Sequence, residues 1–389
     1  MRKMLSIVLA FLMLLTMVPM GAIAVSAATS GTTGDCTWVL NGTQLTISGN
    51  GKMADYGIYG NTAPWGRRIT TAIIGDGVTY VGKYAFVSCT SLTSVTIGKD
   101  VTTISKYAIT SCSALTTIKV NDDNNVYSSQ DGVLFNKKQT TMVYYPEGKG
   151  SSYVVPDGVT TIGENAFSDC TQLTDITIPL SVVTIGEFAF SGCTALANVY
   201  YKGNSTQQAQ ISISNYNAPI SNAFWNYMGI TGDCTWILSG TCLTISGNGA
   251  MANYAFGEKT PWSREITSVV FEAGVSAVGD YAFYMCKDLS SVTFGDGIET
   301  IGYRAFYDCD SITAITIPDS VLAIGDEAFA WSAELTSATL GNGIITIGEK
   351  AFADCTALSS MTIPSSVSAI GESAFDMCWG LKDVYYDGL

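Results

Sequence analysis

The stretch IGENAFSDCTQLTDITIP, residues 162–179, contains the signals that decide the fold of this chain. Ile176 and Ile178 stand on either side of Thr177, and alternate residues of an extended segment share one face, so this stretch predicts a strand with one apolar face. Pro179 follows directly and ends the strand, because proline has no amide hydrogen for further pairing.

The same pattern returns along most of the chain. Its glycine recurs at Gly82, Gly163, Gly186, Gly279, Gly302, Gly325, Gly348 and Gly371, the last five of them 23 residues apart. A degenerate copy has Ser105 in place of the glycine and Ile109 in place of the phenylalanine. A unit of this size cannot bury its own apolar residues, so the units must stack into a solenoid with one continuous core.

In most units the glycine is followed by an acidic residue and then by an Ala-Phe pair, as in Glu164, Ala166 and Phe167. Acidic residues suit the first turn of a helix, because the helix dipole is positive there. The sequence therefore predicts a short helical turn that directs the phenylalanine into the core. Short strands combined with short helical turns make the predicted fold class an α/β solenoid.

The repeats form two arrays, because the chain contains a tandem duplication: GDCTW at residues 34–38 recurs at residues 232–236. Each copy starts with two alternating runs around a two-residue turn, Asn41-Gly42 or Ser239-Gly240, which is typical of a β-hairpin. We expect each hairpin to cap the first coil of its array, because an uncovered end exposes strand edges and core side chains.

An insertion lengthens the period between Ala114 and Gly163, and we interpret it as an added hairpin. A Ser/Gln/Asn-rich stretch that leads to Phe224 and Trp225 predicts a C-terminal cap on the first array. The second array reaches Leu389 about 25 residues before such a cap would end, so we expect the chain to be truncated. The predicted domains are a signal peptide at 1–27, an N-terminal hairpin cap at 28–68, a first array at 69–229 with an insertion near 120–155 and a C-terminal cap, a second hairpin cap at 230–265, and a second array at 266–389.

The composition excludes several classes of function. The 389 residues contain no histidine, which removes Ser-His-Asp and Cys-His nucleophile pairs, imidazole metal ligands and the usual general base. With 33 acidic residues against 19 basic ones and no basic block, nucleic acid and anionic membranes are not expected partners. Most acidic residues fall at repeated positions that serve each coil alike, so we predict no catalytic residues and no cofactor.

The start of the chain predicts export. Arg2 and Lys3 precede an apolar run at residues 5–18, and small residues at 24–27 follow, which is the three-part pattern of a secretory signal cleaved after Ala27. The run of 14 residues is shorter than the roughly 20 that a transmembrane helix needs, so we expect no such helix in the mature protein. An uncleaved anchor helix is the alternative.

The pattern Ile-Gly-x-x-Ala-Phe-x-x-Cys-x-x-Leu-x-x-Ile-x-Ile-Pro resembles the BspA-like leucine-rich repeats of bacterial surface and secreted proteins, over residues 69–229 and 266–389. The resemblance implies a curved, right-handed solenoid and a secreted or cell-surface location. It also implies a non-catalytic role in adhesion, through binding to host-matrix proteins or to other cells. The alternative is a structural or targeting module of a larger secreted protein whose other domains lie beyond Leu389.

The most suggestive surface feature is a row of hydroxyl side chains. It comprises Thr96, Thr177, Thr293, Thr316, Thr339 and Thr362, with Tyr200 and Tyr385 near its ends. Each threonine lies between two inward residues of a predicted strand, so all six should face outward in register. We interpret the row as a candidate protein-binding face, and the simpler alternative is that threonine is a good solvent-facing strand residue.

The eleven cysteines suggest disulfides in an exported protein, but eight of them, among them Cys170 and Cys193, share one repeat position. Stacked parallel side chains keep their Cβ atoms about 4.8 Å apart, beyond the roughly 3.8 Å that a disulfide prefers, so we expect a column of free, buried thiols. The Asn/Asp cluster at residues 121–125 offers oxygen ligands for calcium, but a solvated turn is the simpler interpretation, and we predict no metal site.

Overall fold

Each coil of the structure consists of a turn segment, a long strand and a short strand. In the coil that begins at Gly163, the long strand is Asp175–Ile178 and the short strand is Thr184–Ile185. The computed structural model describes residues 29–262 and 264–387, so the predicted signal peptide at residues 1–27 lies outside the described residues.

Backbone contacts divide the chain into two compact units, of which one ends at Val126 and the other begins at Tyr127. The division falls inside the predicted insertion near 120–155. The strands of the first unit are β1 (Ser30–Thr33), β2 (Cys36–Asn41), β3 (Gln44–Gly49), β4 (Gly51–Lys52), β5 (Thr71–Ile74), β6 (Val78–Val81), β7 (Ser94–Ile97), β8 (Thr103–Ile104) and β9 (Thr117–Val120).

The second unit has twenty-four strands and two short helices among its described residues. Up to the second GDCTW copy the elements are β10 (Tyr127–Gln130), β11 (Val133–Asn136), β12 (Thr141–Tyr144), β13 (Ser152–Val154), β14 (Thr161–Ile162), β15 (Asp175–Ile178), β16 (Thr184–Ile185), β17 (Asn198–Tyr201), α1 (Ser205–Gln208), β18 (Ser212–Ile213), α2 (Ala218–Asn222) and β19 (Phe224–Thr231). The remaining strands are β20 (Cys234–Ser239), β21 (Cys242–Gly247), β22 (Gly249–Ala250), β23 (Ser268–Phe271), β24 (Val275–Val278), β25 (Ser291–Thr293), β26 (Thr300–Ile301), β27 (Ala314–Thr316), β28 (Ala323–Ile324), β29 (Ser337–Thr339), β30 (Thr346–Ile347), β31 (Ser360–Ile363), β32 (Ala369–Ile370) and β33 (Asp383–Tyr386).

In the first unit the long strands form one sheet, in the order β1-β2-β3-β5-β7-β9, and the short strands β4-β6-β8 form another. The predicted hairpin is present, because β2 and β3 pair antiparallel around Asn41-Gly42, and β3 then pairs in parallel with β5. Equivalent residues of successive coils lie side by side, with Val95 between Ala72 and Ile118. The repeat period is therefore the period of stacked parallel strands.

In the second unit one long-strand sheet, β13-β15-β17-β19-β20-β21-β23-β25, crosses the boundary between the two predicted arrays. β19 is parallel to β17 and antiparallel to β20, and the hairpin β20–β21 continues in parallel with β23. The second hairpin, β20–β21, therefore lies between β19 and β23. Strand β19, which ends the predicted C-terminal cap, lies between β17 and β20. Their predicted role as end caps is not confirmed, since they join the arrays instead of covering an end.

The insertion forms a meander of three strands. β10 and β11 make the predicted hairpin around Asp131-Gly132, and β12 adds a third antiparallel strand before pairing in parallel with β14. The other sheets of the second unit are β10-β11-β12-β14-β16-β18, β22-β24-β26-β28-β30-β32 and β27-β29-β31-β33.

The prediction of short helices after the repeat glycines is wrong: these segments form turns, and within the described ranges the only helices are α1 and α2. Two residues of each turn segment have positive φ, such as Tyr281 at 53° and Met285 at 59°, and a left-handed residue ends a helix. Acidic residues at the first position are therefore not sufficient to start one.

The hydrogen bonds of the turn segment give the physical reason. Phe283 N–H donates to the carbonyl of Ala305 in the next coil at 2.8 Å, whereas Ala282 N–H donates to Gly279 within its own coil at 3.3 Å. Amides thus alternate between the two directions. An α-helix would use every amide within one segment and would lose the bonds between coils.

The repeat glycine allows two coils to approach closely. A Cβ atom on Gly279 would overlap the carbonyl oxygen of Ala252, and one on Gly82 would overlap that of Ala54. The repeat glycine therefore lies where the backbone of the neighbouring coil leaves no room for a side chain.

A column of phenylalanines fills the interior, as the Ala-Phe pattern predicts. Phe283, Phe306, Phe329, Phe352 and Phe375 stack with ring centres 5.0, 5.3, 5.2 and 5.7 Å apart, and the first four are fully buried. The second unit contains two core clusters, one between Val133 and Ile220 and one between Cys234 and Ala374, and Tyr227 packs against both. Stacking of coils therefore produces the apolar interior on which the fold depends.

Candidate binding surfaces

All six threonines of the candidate face lie on long strands. Thr316, for example, stands between Ile315 and Ile317, which are 3% and 1% exposed. Thr293, Thr316, Thr339 and Thr362 are exposed, whereas Thr96 and Thr177 are half-buried. Tyr385 is 58% exposed and Tyr200 is half-buried.

These residues do not form one continuous row, because they lie in three sheets. Thr96, in the first unit, has Ile73 on one side and Lys119 on the other. Within the eight-stranded sheet of the second unit, Thr177 pairs with Tyr200, while Thr293 pairs with Val270. The expected register is therefore interrupted by other side chains.

The four-stranded sheet β27-β29-β31-β33 holds the longest run of the candidate face. Thr316 pairs with Thr339, β29 pairs with β31, and Thr362 pairs with Tyr385. Among the described residues, none of the three threonine hydroxyls is hydrogen-bonded to another protein group. These hydroxyls are thus available to a ligand.

A different set of hydroxyls is used by the fold itself. Thr336 Oγ1 donates to the carbonyl of Thr313 at 2.8 Å, and Ser359 Oγ donates to the carbonyl of Thr336 at 3.3 Å. These residues directly precede long strands, so their side chains add bonds between coils. The hydroxyl groups of the repeat therefore form two sets, one hydrogen-bonded within the fold and one not, which the sequence pattern does not distinguish.

The cysteine column lies inside the coils, and the structure shows what its thiols bond to. Cys309 Sγ donates to the carbonyl of Phe283 in the preceding coil at 3.2 Å, and Ser332, in the same repeat position, donates to Phe306 at 3.3 Å. The same bond to a phenylalanine carbonyl is made by Cys112, Cys193, Cys355 and Cys378. All eleven cysteines are free thiols in the structure.

Burial raises the pKa of several thiols in the column, because a thiolate is poorly solvated inside the coils. It raises the pKa of Cys89 and of Cys286 to about 12, and it raises the pKa of Cys309 well above its usual range. These thiols stay protonated at neutral pH, whereas nucleophiles and zinc ligands must be thiolates. The column therefore serves packing and backbone hydrogen bonding.

A second surface, which the sequence analysis did not single out, lies on turn segments of the second unit. It consists of Phe256, Tyr281, Tyr284, Tyr303, Arg304 and Tyr307, and we call it the Tyr-Arg patch. Tyr281 and Tyr303 meet edge to face with ring centres 5.2 Å apart, and Tyr284 stacks on Tyr307 at 5.1 Å. Phe256, which is 70% exposed, packs edge-on against Tyr284 at 5.7 Å.

Arg304 lies at the centre of the Tyr-Arg patch. Its Cζ atom is 5.0 Å from the ring centre of Tyr303 and 5.1 Å from that of Tyr307. Its Nε and Nη2 donate to the carboxylate of Glu327 at 3.0 and 2.9 Å. Burial alone would lower the pKa of Arg304, but the hydrogen bonds and the charge of Glu327 raise it, so the guanidinium stays charged and is neutralised by its partner.

One residue of the Asn/Asp cluster at residues 121–125 has a structural role, and the other four are exposed. Asn124 is fully buried, and its Nδ2 donates to the carbonyls of Gly98 and Val101 at 2.9 Å. Across residues 29–262 and 264–387, no group of three or more acidic, cysteine or histidine side chains is arranged to hold a metal ion. In the same ranges no helix is both long enough and apolar enough to cross a bilayer.

Solved structures similar to this chain are leucine-rich repeat proteins of bacteria. One from Eubacterium ventriosum is 22% identical, with 90% of this chain and 95% of that one covered and a TM-score of 0.26. One from Bacteroides ovatus is 16% identical (87% and 98% covered, TM-score 0.30), and a leucine rich cell surface protein from Faecalibacterium prausnitzii is 21% identical (93% and 96% covered, TM-score 0.26). No curated protein matches the sequence.

The sequence itself identifies the family. The family model for the BspA type leucine rich repeat region matches residues 65–150, 142–226 and 251–382, in six copies. The matched residues make up most of the chain and contain the glycine, phenylalanine and cysteine positions described above. The chain belongs to the BspA-type leucine-rich-repeat family.

Proposed function

We propose that this protein is an exported, non-catalytic binding protein that attaches to proteins of the extracellular matrix or of other cells. The attachment surface is the outward face of the sheet β27-β29-β31-β33, which we call the long-strand face. The observation that carries the proposal is the run of Thr316, Thr339, Thr362 and Tyr385 on adjacent strands of one sheet. Their side chains project from a rigid backbone, and the threonine hydroxyls have no role in the fold. Such a surface can exchange hydrogen bonds with a partner at little cost in conformational entropy.

The family supports the binding role, since leucine-rich-repeat proteins of this type are generally non-catalytic binding proteins. The chemistry of the side chains agrees with it: the sequence has no histidine, and burial keeps the thiols of Cys89 and Cys286 protonated. A binding surface that recurs along stacked coils needs no such group.

Export is the second part of the proposal, and residues 1–27 support it through their basic start, apolar run and small-residue end. Mature protein from the culture medium should begin at Ala28 when its N-terminus is sequenced. Protein that stays in the cells with Met1 in place would contradict export.

Binding is tested with residues 28–389 added to wells coated with extracellular-matrix extract or bacterial surface extract. We expect the Thr316→Lys/Thr339→Lys variant to lose capture, because two long cations cover the face. A matched control is Thr300→Lys/Thr346→Lys, which makes the same exchange at exposed positions of the short strands β26 and β30. Circular dichroism checks that both variants fold.

Comparison of the two variants with the unchanged protein tests both the long-strand face and the binding role. Capture by the control and not by the test variant supports the long-strand face. Equal capture by both variants would exclude this face, and failure of the unchanged protein to bind either extract would overturn the binding role itself.

A further inference from the structure

We propose that the Tyr-Arg patch binds an arginine- or lysine-rich segment of a partner protein. This inference rests on the proposed binding function, but it concerns another surface, formed by turn segments and not by long strands. Four observations support it. The patch has more aromatic residues than the repeat needs, and their rings contact one another. Arg304 is held in an ion pair with Glu327, and other carboxylates surround the patch.

The other coils of the chain show that the fold does not need these tyrosines. Tyr284 and Tyr307 stand five positions after their repeat glycines. The equivalent residues elsewhere are Val87, Thr110, Ser168, Ser191, Ala330, Ala353 and Asp376. Two adjacent coils therefore carry a large aromatic side chain where their neighbours do without one, which indicates a purpose other than stacking of the coils.

The patch has the composition and rigidity of a protein-binding surface. Tyrosine and arginine are among the residues enriched where binding energy is concentrated at protein interfaces, and tyrosine offers a large contact area with little rotamer freedom to lose. Here each ring is held by another ring, as in the Tyr281–Tyr284 contact at 5.5 Å, and the four tyrosines remain half-buried. The surface is thus ordered before a partner arrives.

The charges around the patch favour a cationic partner. Glu327 neutralises Arg304, so the patch offers no free positive charge at its centre. Lys287 is shared by Asp308 and Asp310, at 2.9 Å from each, which leaves one carboxylate in excess beside Tyr307. Asp280 adds another carboxylate next to Tyr303, whose backbone N–H it accepts at 2.7 Å.

Arginine and lysine match both features of the surface, because they can lie over tyrosine faces while their charge meets a carboxylate at the rim. The arrangement of Arg304 over Tyr303 and Tyr307 is an example of this contact within the chain. Arg264 adds one cation at the edge of the patch, with its Cζ atom 5.9 Å from the ring centre of Tyr284. The carboxylates of Asp280, Asp308, Asp310 and Glu327 still outnumber the three cations Arg264, Lys287 and Arg304, so the charges favour a cationic segment over an acidic one.

The test measures fluorescence anisotropy with three labelled probes: a peptide with six arginines among Gly and Ser, its counterpart with six glutamates, and a soluble β-glucan. We expect the full chain from residue 28 to bind the arginine peptide, and Tyr284→Ala/Tyr307→Ala to weaken that binding by roughly tenfold or more. This variant keeps the net charge, and Ala330 and Ala353 already occupy the same position in the next two coils, so it should fold. The matched control is Thr300→Ala/Thr346→Ala on the short strands β26 and β30, which should bind the peptide normally.

Equal affinity of the tyrosine variant and the unchanged protein would overturn the proposal, because the peptide would then be attracted only by the general acidity of the chain. Binding of the glutamate peptide, or of the β-glucan with loss in the tyrosine variant, would also overturn it and assign the patch to another ligand class. The two proposals fail separately: capture from matrix extract depends on Thr316 and Thr339, and peptide binding depends on Tyr284 and Tyr307.

Discussion

Truncation of one phenylalanine tests whether the stacked column is the packed core of the solenoid. Phe306 is fully buried, and its ring lies 5.0 Å from that of Phe283 and 5.3 Å from that of Phe329. Phe306→Ala leaves a cavity that cannot collapse easily, because Phe306 N–H and Phe283 N–H both bond to the next coil at 2.8 Å and fix the spacing. A buried Phe→Ala change costs about 3–5 kcal/mol, and the loss of ring contacts with Phe283, Phe294 and Phe329 places this one near the upper end, at about 4–5 kcal/mol.

Urea unfolding followed by tryptophan fluorescence measures the loss in the free energy of unfolding. Phe306→Leu keeps most of the volume and should cost only about 1–2 kcal/mol. The matched control Phe256→Ala makes the same change at a side chain that is 70% exposed, and it should cost about 0.5 kcal/mol or less. If Phe306→Ala destabilises the protein no more than Phe256→Ala, the column is not a packed core and the account of the fold fails.

Two further results are expected. Gly279→Ala should lower the free energy of unfolding by about 2 kcal/mol or more, since its Cβ would overlap the carbonyl oxygen of Ala252; an unchanged thermal midpoint would show that the coils do not approach there. Burial raises the pKa of Cys286 to about 12, above the roughly 8.5 of an unfolded cysteine. The stability that this thiol contributes is therefore fully present below about pH 8.5 and is lost as pH rises toward 12, so the urea midpoint should fall less at alkaline pH in Cys286→Ser than in the unchanged chain, and an equal fall would contradict the assignment.

The strands and the core could be predicted from the sequence because their signals are local and repeated. Alternation around Thr177 identifies a strand face, and the period states which residues become neighbours. The turn segments could not be predicted in this way. The N–H of Phe283 donates to the carbonyl of Ala305, 22 residues later. A rule that considers only the residues of the first helical turn does not include this competing hydrogen bond.

The candidate surfaces show the same limit. Alternation in the sequence indicates that Thr316 and Thr339 face outward. It does not indicate which strands pair, because pairing depends on backbone positions. The sequence therefore does not show that Thr293 pairs with Val270 and lies in a different sheet from Thr316. The Tyr-Arg patch was missed because a consensus retains what the units share. Tyr284 and Tyr307 stand at a position that the consensus leaves open, and comparing the units for their differences would have identified them.

The junction β19-β20-β21 has a consequence for how such proteins grow. The chain reverses twice there, so β21 runs in the direction of β19 and pairs with β23 as β17 pairs with β19. Polarity and register survive the passage from one genetic copy to the next, and the strands β1-β2-β3 carry the same antiparallel arrangement. In-frame duplication of one copy can therefore lengthen the stack of strands without a separate linker segment.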